Sequence, residues 1–467
     1  MAMDNTRPFL DWATKSGVWM DPDFEVSSSQ YGGLGIFAMK DREEDAVILR
    51  IPHTCTFDMD NLLALSKNIG SEASELTGPV FRAVLSCGDL DTETSILRNY
   101  IWGFTIVQSI CVKLGKQLQA LEKIKPYLQI LQTTPVLNVD DLHDAQDQLV
   151  QALVLEKRRV RKTYEEICER ISGFEFPFEL AFQLHQAVKS RVLEIPHAID
   201  DGEDFETNVT LVPVLDFANH QKNNNAVFDV DRSSGDVLLR LVQPVRALQE
   251  VCISYSPQQE KNIFLRTYGF MPAGEGSYEW RIPSFDQIWK SATNGTTHTN
   301  YTALAKWLQV KPQLLIHFDA ADSAFLDPQE FQLPILLLPG LEYYAEWSKE
   351  LDDMKEDVPD GMDIADFVLQ LTFQEDKADI VIAGETAYGA TCNGAYVNLP
   401  NILEQAGVNS EEDYNILVQQ SLKLVKDAVI ETIATDDKYM KESDNAALIS
   451  YFCQKKKMLT QIADKCD

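Results

Sequence analysis

Asp216-Phe217-Ala218-Asn219-His220 closes the apolar run Thr210-Leu211-Val212-Pro213-Val214-Leu215, and the reading of this stretch decides the fold. Taken alone it is a turn in which Asp and Asn hydrogen-bond their own backbone. Downstream stand Val251-Cys252-Ile253-Ser254-Tyr255 and then Tyr268-Gly269-Phe270. Between the two, Ala226–Val230 and Val237–Val242 flank Ser233-Ser234-Gly235-Asp236 and predict a β-hairpin. Near the start, Tyr31-Gly32-Gly33-Leu34-Gly35-Ile36-Phe37-Ala38 precedes Ala46-Val47-Ile48-Leu49-Arg50-Ile51-Pro52, and the polar stretch Lys40–Asp45 between them predicts a second hairpin. The glycines before Ile36 let another group approach the backbone closely, or simply form a tight turn.

The two β-rich segments are separated by a strand-poor stretch. Helices are expected over Thr94–Leu114, Ala145–Ile171 and Phe178–Val192, with a short one at Phe9–Gly17. Lys157, Arg158, Arg159, Arg161 and Lys162 gather on one face of the second of these, and such a basic knot is by default a solvated helix face. After Phe270 the linker-like Ala273-Gly274-Glu275-Gly276-Ser277 suggests a boundary near residue 280. Beyond it helices are expected at Thr299–Trp307, Pro328–Leu338, Leu341–Met354, Glu411–Ala434 and Asp437–Asp464, with an ordered loop at Gly384–Pro400. In the last helix Leu448, Tyr451, Phe452, Lys455, Leu459 and Ile462 share one face, as a bundle core would.

Four parts follow: residues 1–60 and 190–280 as two halves of a β-rich core, 61–189 as a helical insert, and 281–467 as an all-helical C-terminal domain. The fold class is α+β. A chain of 467 residues exceeds what one core usually supports, and 45% hydrophobic content suffices for full burial. A net charge of −31 argues against nucleic acid, fits a basic protein partner, and equally fits plain solubility. The 8 cysteines form no CxxC pair and the 7 histidines do not cluster, so neither a disulfide framework nor a metal site is expected. No apolar run approaches the ~20 residues of a membrane span, and Met1–Trp12 lacks a signal-peptide core. A monomeric protein of the cytoplasm, also of the nucleus, is the expectation.

In this order, the glycine turn Gly33-Leu34-Gly35-Ile36-Phe37-Ala38, Ser190-Arg191 with Ile195-Pro196, Asp216-x-x-Asn219-His220, and Tyr255 followed by Tyr268-Gly269-Phe270 resemble the SET-domain methyltransferases. The resemblance is to the branch typified by the Rubisco large-subunit lysine methyltransferase, which includes fungal ribosomal-protein and elongation-factor methyltransferases. It implies a SET core split by helices and a helical substrate-binding domain. It further implies that Gly33, Leu34 and Gly35 present backbone to S-adenosylmethionine, Arg191 pairs with its carboxylate, Asn219 and His220 hold its amino-acid end and adenine, Asp216 fixes the loop, and Phe270 packs on the adenine. Tyr255, with Tyr268 beside it, would line the methyl-transfer channel as the catalytic residues.

The implied activity is protein-lysine N-methylation of a non-histone protein of the translation machinery. The absence of a Cys-rich zinc tail weighs against histone substrates. In the branch that methylates actin histidine, a Trp precedes the loop Asp and an Asn follows two places after the Arg. Here those positions are Leu215 and Leu193, which favours lysine over histidine as acceptor. An inactive SET-fold binding module remains the alternative from another class.

Overall fold

Strands drawn from both ends of the first 253 residues meet in the same sheets. The computed structural model describes residues 2–272 apart from 89, 141, 143–146, 172, 199–204 and 256–262, several strand segments within 279–396, and residues 402–466 apart from 444. The first segment supplies β1 (Trp19–Met20), β2 (Phe24–Ser28), β3 (Leu34–Ala38) and β4 (Val47–Ile51). The second supplies β5 (Val192–Ala198), β6 (Phe205–Leu211), β7 (Asn219–His220), β8 (Ala226–Val230), β9 (Val237–Leu241) and β10 (Glu250–Ile253). One sheet runs β1-β4-β9-β8, the other β2-β3-β10-β7, and β5 pairs with β6. β10 is antiparallel to β3, with Val251 opposite Ile36, and parallel to β7, with Cys252 opposite Asn219 and Ile253 opposite His220.

The hairpin expected at β8–β9 is present, with Val230 opposite Val237. The one expected at β3–β4 is not: these neighbours in sequence lie in different sheets. Their connection is held by other partners. Arg42 exchanges two backbone hydrogen bonds with Val245, Asp45 takes a left-handed conformation at φ 66°, and its N–H reaches Leu241. Alternation along each strand could not reveal this, because either pairing buries the same faces.

The insert is helical as expected. It contains α2 (Met59–Val84), α3 (Glu93–Leu114), α4 (Lys125–Leu131), α5 (Gln148–Arg170) and α6 (Phe178–Arg191), following the N-terminal α1 (Ala2–Lys15). Asp58 and Thr92 cap α2 and α3 by accepting from the N–H groups of Asn61 and Ser95, and Gly115 closes α3 in the left-handed region. The middle of α3 is buried on all sides, and Trp102 Nε1–H donates to the Ala181 carbonyl at 2.9 Å, tying α3 to α6. An aromatic cluster joins α1, α4 and the 216–220 loop. Phe9 stacks on Tyr127 (5.9 Å) and meets Phe217 edge-on (5.6 Å), while Tyr127 stacks on Phe57 (5.4 Å).

Contacts divide the chain into residues 1–143 with 149–274, and 144–148 with 275–467. The second unit corrects one expectation, because it is not helical throughout. Glu279–Ile282, Leu314–Phe318 and Ala324–Leu326 form one antiparallel sheet, and Leu341–Tyr344, Val381–Ala383, Thr386–Cys392 and Ala395–Tyr396 another. Leu341–Met354 thus begins as strand rather than helix, and Gly384–Pro400 contains strands rather than a loop. Both segments are short and carry tyrosines and threonines that suit a pleated surface, and periodicity does not separate such runs from helix. The helices expected at 299–307 and 328–338 lie outside the described residues.

The C-terminal end is helical, with α7 (Glu411–Glu442) followed by α8 (Ala446–Lys465). Asn445 caps α8 on the N–H groups of Ala447 and Leu448, which puts the break later than the sequence suggested. Lys455, assigned to a core face, is indeed buried there. Its ammonium lies 2.6 Å from Asp147 and 2.8 Å from Asp436, the pairing that a buried cation requires.

Truncating Phe9, which is fully buried in the aromatic cluster, leaves a cavity where three elements meet. Phe9→Ala is expected to destabilise the first unit by about 3–5 kcal/mol, read as a shift of the urea midpoint.

Candidate active site

Helix α6 runs without a linker into β5, so Arg191 emerges at the helix end beside the 216–220 loop. Its Nη1 donates to the Asp216 carbonyl at 3.2 Å and lies 3.5 Å from Asp216 Oδ2, while Nη2 donates to Thr134 Oγ1 at 3.2 Å. Tyr127 Oη donates to Asp216 Oδ2 at 2.9 Å. Burial pushes the Asp216 carboxyl up, against the Arg191 charge and the Tyr127 hydroxyl, which hold it down. Asp216 therefore anchors the loop between the insert and Arg191. Both terminal nitrogens are thus engaged by protein, and Nε, buried without a hydrogen-bond partner, is a donor left for a ligand. Just before the loop, Val214 sits at φ 75°, ψ −45°, close to a strained γ-turn and costly for a β-branched residue. Leu215 and Phe217, both buried, pin the turn that follows.

The next residue pair turns the other way. Asn219 Nδ2 donates to the Leu34 carbonyl at 2.9 Å and to Glu250 Oε1 at 2.6 Å, which brings the loop onto the glycine turn. Gly32 and Gly33 take positive φ values of 95° and 72°. A side chain on Gly33 would meet nothing within 4 Å, whereas one on Gly35 would collide with the Glu250 carboxylate. Of the expected cofactor-binding set, Leu34, Gly35 and Asn219 are thus in direct contact, while Gly33 stands in the open turn beside them.

His220 and the aromatic residues complete the site. His220 Nδ1 accepts from the Tyr255 N–H at 3.1 Å, which places the imidazole's own proton on Nε2. Tyr255 Oη donates to the Ala218 carbonyl at 2.9 Å. The Tyr268 ring lies tilted against the Tyr255 ring, centroids 4.7 Å apart, and its hydroxyl donates to the Tyr255 carbonyl at 3.3 Å. Phe270 meets Tyr255 edge-on at 6.4 Å and Phe264 at 5.7 Å. Burial raises the Tyr255 hydroxyl well above the usual phenol range and raises Tyr268 as well, so both stay protonated and able to donate at neutral pH. A cleft of about 450 Å³ opens among Arg191, Asp216, Ala218, Ile253, Tyr255 and Tyr268. Arg191, Asp216, Tyr255 and Tyr268 thus line one cleft, His220 and Phe270 pack against Tyr255, and Asn219 joins the loop to the glycine turn at Leu34.

Sequence reasoning missed four contributors. Glu250 gave a signal, since an acid heading the apolar run Val251-Cys252-Ile253 sits on a strand buried on both faces. Tyr127 and Thr134 come from the insert, and no spacing links them to the loop. The fourth is a half-buried cluster behind Tyr268. Lys189 donates to both Glu156 oxygens at 2.6 and 2.7 Å and to the Arg266 carbonyl at 2.6 Å, and His185 Nε2 meets Glu156 Oε1 at 2.8 Å. It ties α5 and α6 to Phe264–Tyr268, the single π-helical turn that carries Tyr268. The basic face of α5 is partly packed rather than wholly solvated: Lys157 pairs with Asp140 at 2.6 Å, and the Arg161 guanidinium stacks 3.8 Å from the Phe178 ring centre.

One antiparallel and one mixed sheet, the inserted helices and the joined loop and glycine turn define a SET-type core. Among solved structures, the SET domain of LSMT bound to lysine and AdoHcy superposes with a TM-score of 0.52 at 16% identity, covering 99% of this chain and 91% of that one. Rubisco LSMT bound to AdoMet gives a TM-score of 0.50 at 16% identity over the same shares. At that identity the likeness is one of fold. Residues 24–357 match the family model described as cytochrome c lysine N-methyltransferase 1, and the chain belongs to that family. Proteins of that description from Saccharomyces cerevisiae and Eremothecium gossypii are 30% identical over 325 residues (64% of this chain, 53% of the relative) and 36% identical over 178 residues (37% of each). The relative from Candida glabrata is 24% identical over 353 residues, covering 67% of this chain and 62% of its own length. The chain spans about half the length of the first of these relatives.

Burial alone would raise the Glu156 carboxyl, but the His185 hydrogen bond and the Lys189 charge outweigh it and hold it down at about 2. A carboxyl depressed from 4.5 contributes stability above that pH, which is lost as pH falls through 2. Glu156→Gln is expected to remove that contribution at neutral pH and to flatten stability between about pH 4.5 and 2, as measured by denaturant unfolding across that range.

Proposed function

We propose that this chain is an S-adenosylmethionine-dependent protein-lysine N-methyltransferase acting on cytochrome c. The observation that carries the activity is the cleft in which the Tyr255 hydroxyl, the Ala218 carbonyl, Tyr268 and Arg191 converge. Family membership supports cytochrome c in place of the translation-machinery substrate expected from sequence, and a strongly acidic chain suits a basic target. The free cysteines, most of them buried, agree with a reducing, cytoplasmic setting.

The residues fit the donor. Arg191 Nε–H can donate to its carboxylate end, the turn at Leu34 and Gly35 offers backbone, and Asn219 and His220 stand at the loop between them. When bound, S-adenosylmethionine supplies a methyl group already activated on a sulfonium, so the protein needs no acid–base pair for the transfer itself. The protein must deliver a neutral amine in line with that methyl group. Deprotonating a lysine of ordinary pKa costs about 4.6 kcal/mol at pH 7. Val192, Leu215, Phe228 and Ile253 line the cleft and disfavour the ammonium form by desolvation. The Tyr255 and Tyr268 hydroxyls, kept neutral by burial, can orient the amine without competing as nucleophiles.

Incubation with labelled S-adenosylmethionine and cytochrome c, followed by mass spectrometry of the product, is expected to place the methyl group on lysine. Label on histidine instead would overturn the acceptor, label only on ribosomal proteins or elongation factors the substrate, and binding without any transfer the enzymatic reading. Tyr255→Phe is expected to lose about a hundredfold in turnover while retaining donor binding by calorimetry. Near-normal turnover would remove Tyr255 from the catalytic role.

A further inference from the structure

We propose that Glu250 is a positioning residue that locks the Asn219 side-chain amide with its oxygen turned to the methyl donor's ammonium group, and thereby sets donor affinity. The proposal rests on the reading of this site as a donor site and assigns a role to a residue to which the sequence reading gave none.

Glu250 opens β10 and is 8% exposed. Each of its carboxylate oxygens has a partner: Oε1 accepts from Asn219 Nδ2 at 2.6 Å, and Oε2 accepts from Ser29 Oγ at 2.9 Å. The second Nδ2 proton goes to the Leu34 carbonyl at 2.9 Å. A carbonyl can only accept, and so can an ionised carboxylate, so the amide nitrogen must be the atom that faces both. A side-chain amide is nearly symmetric in shape and otherwise flips readily. Here a flip would set Oδ1 against two acceptors and leave them unpaired. The amide's acceptor is therefore held in one direction, and an acceptor so fixed suits an ammonium group as its ligand.

The glycine turn is shaped around the same carboxylate. A Cβ on Gly35 would overlap Glu250 Oε1 and come within 3.1 Å of Asn219 Nδ2. Gly35 is thus required for Glu250 to reach Asn219. Ser29, the other partner of Glu250, also accepts from the Tyr31 N–H on its hydroxyl at 3.0 Å, and its own N–H donates to the Gly33 carbonyl at 3.1 Å. One buried acid therefore fixes both the amide and the base of the turn.

Calorimetry with S-adenosylmethionine and steady-state kinetics test the proposal. Glu250→Ala is expected to weaken donor binding by about tenfold or more and to raise the KM for the donor in step, with a smaller change in kcat at saturating donor. Glu250→Gln keeps an acceptor for Asn219 and a donor for Ser29, and is expected to recover much of that loss. Asn219→Asp sets two carboxylates face to face and should bind the donor poorly, whereas Asn219→Asp combined with Glu250→Gln removes that clash and should regain part of the affinity, the Leu34 carbonyl staying unpaired. This pair decides the matter if Glu250→Ala does not fold. A Glu250→Ala protein with a lower melting temperature but donor affinity within about twofold of wild type would make the acid merely structural and overturn the proposal. So would a double variant that binds no better than Asn219→Asp. A wild-type chain that takes up no donor overturns the functional reading itself, and the positioning role with it.

Discussion

The pairing of β10 with β3 on one side and β7 on the other is the constraint on which the molecule depends. Residues 250–253 are buried on both faces of their strand, and each edge carries a different part of the site. Through β3 they hold the glycine turn, and through β7 they hold Asn219 and His220 in register with Cys252 and Ile253. A shift of one residue in either pairing would turn Asn219 away from Leu34 and Tyr255 away from the cleft. The helical insert then fixes the loop from behind, through Tyr127 on Asp216 and Thr134 on Arg191.

Charge in the site is handled by pairing rather than exposure. Arg191 and Asp216 are both largely withdrawn from water, and each would be unfavourable there without the other. Glu156 with Lys189 repeats the arrangement behind Tyr268, and Lys455 between Asp147 and Asp436 does so in the second unit. In each case the partners come from different elements, so the ion pair joins elements that apolar packing alone would position less specifically.

How much of this was legible follows from the range of each interaction. The helices of the insert, the β8–β9 hairpin and the residues gathered at the cleft could be read from local periodicity and motif order. The partition of β3 and β4 between two sheets could not, because a strand's alternation marks which face is buried and says nothing of its neighbour. Glu250 was visible as an anomaly but had no role until Asn219 and Ser29 were seen on either side of it. Tyr127 and Thr134 left no trace, since a single buried hydroxyl, on a helix or just past its end, looks like any other core residue. The strands within 281–467 were missed where short aromatic runs fit helix and sheet equally well.

Sheets built from both ends of a long segment also set an order of events in the cell. While the chain is being made, β3 and β4 emerge early but lack β9 and β10, which follow some 200 residues later. At about 5–20 residues per second, that interval lasts ten seconds or more. Until then Ile36, Ile48, Leu49 and Ile51 have no sheet neighbour from the second half to cover them. The insert helices, whose contacts are local, can form within that time and shelter the waiting strands. The nascent polypeptide is thus most vulnerable to aggregation in the interval before its second β segment leaves the ribosome.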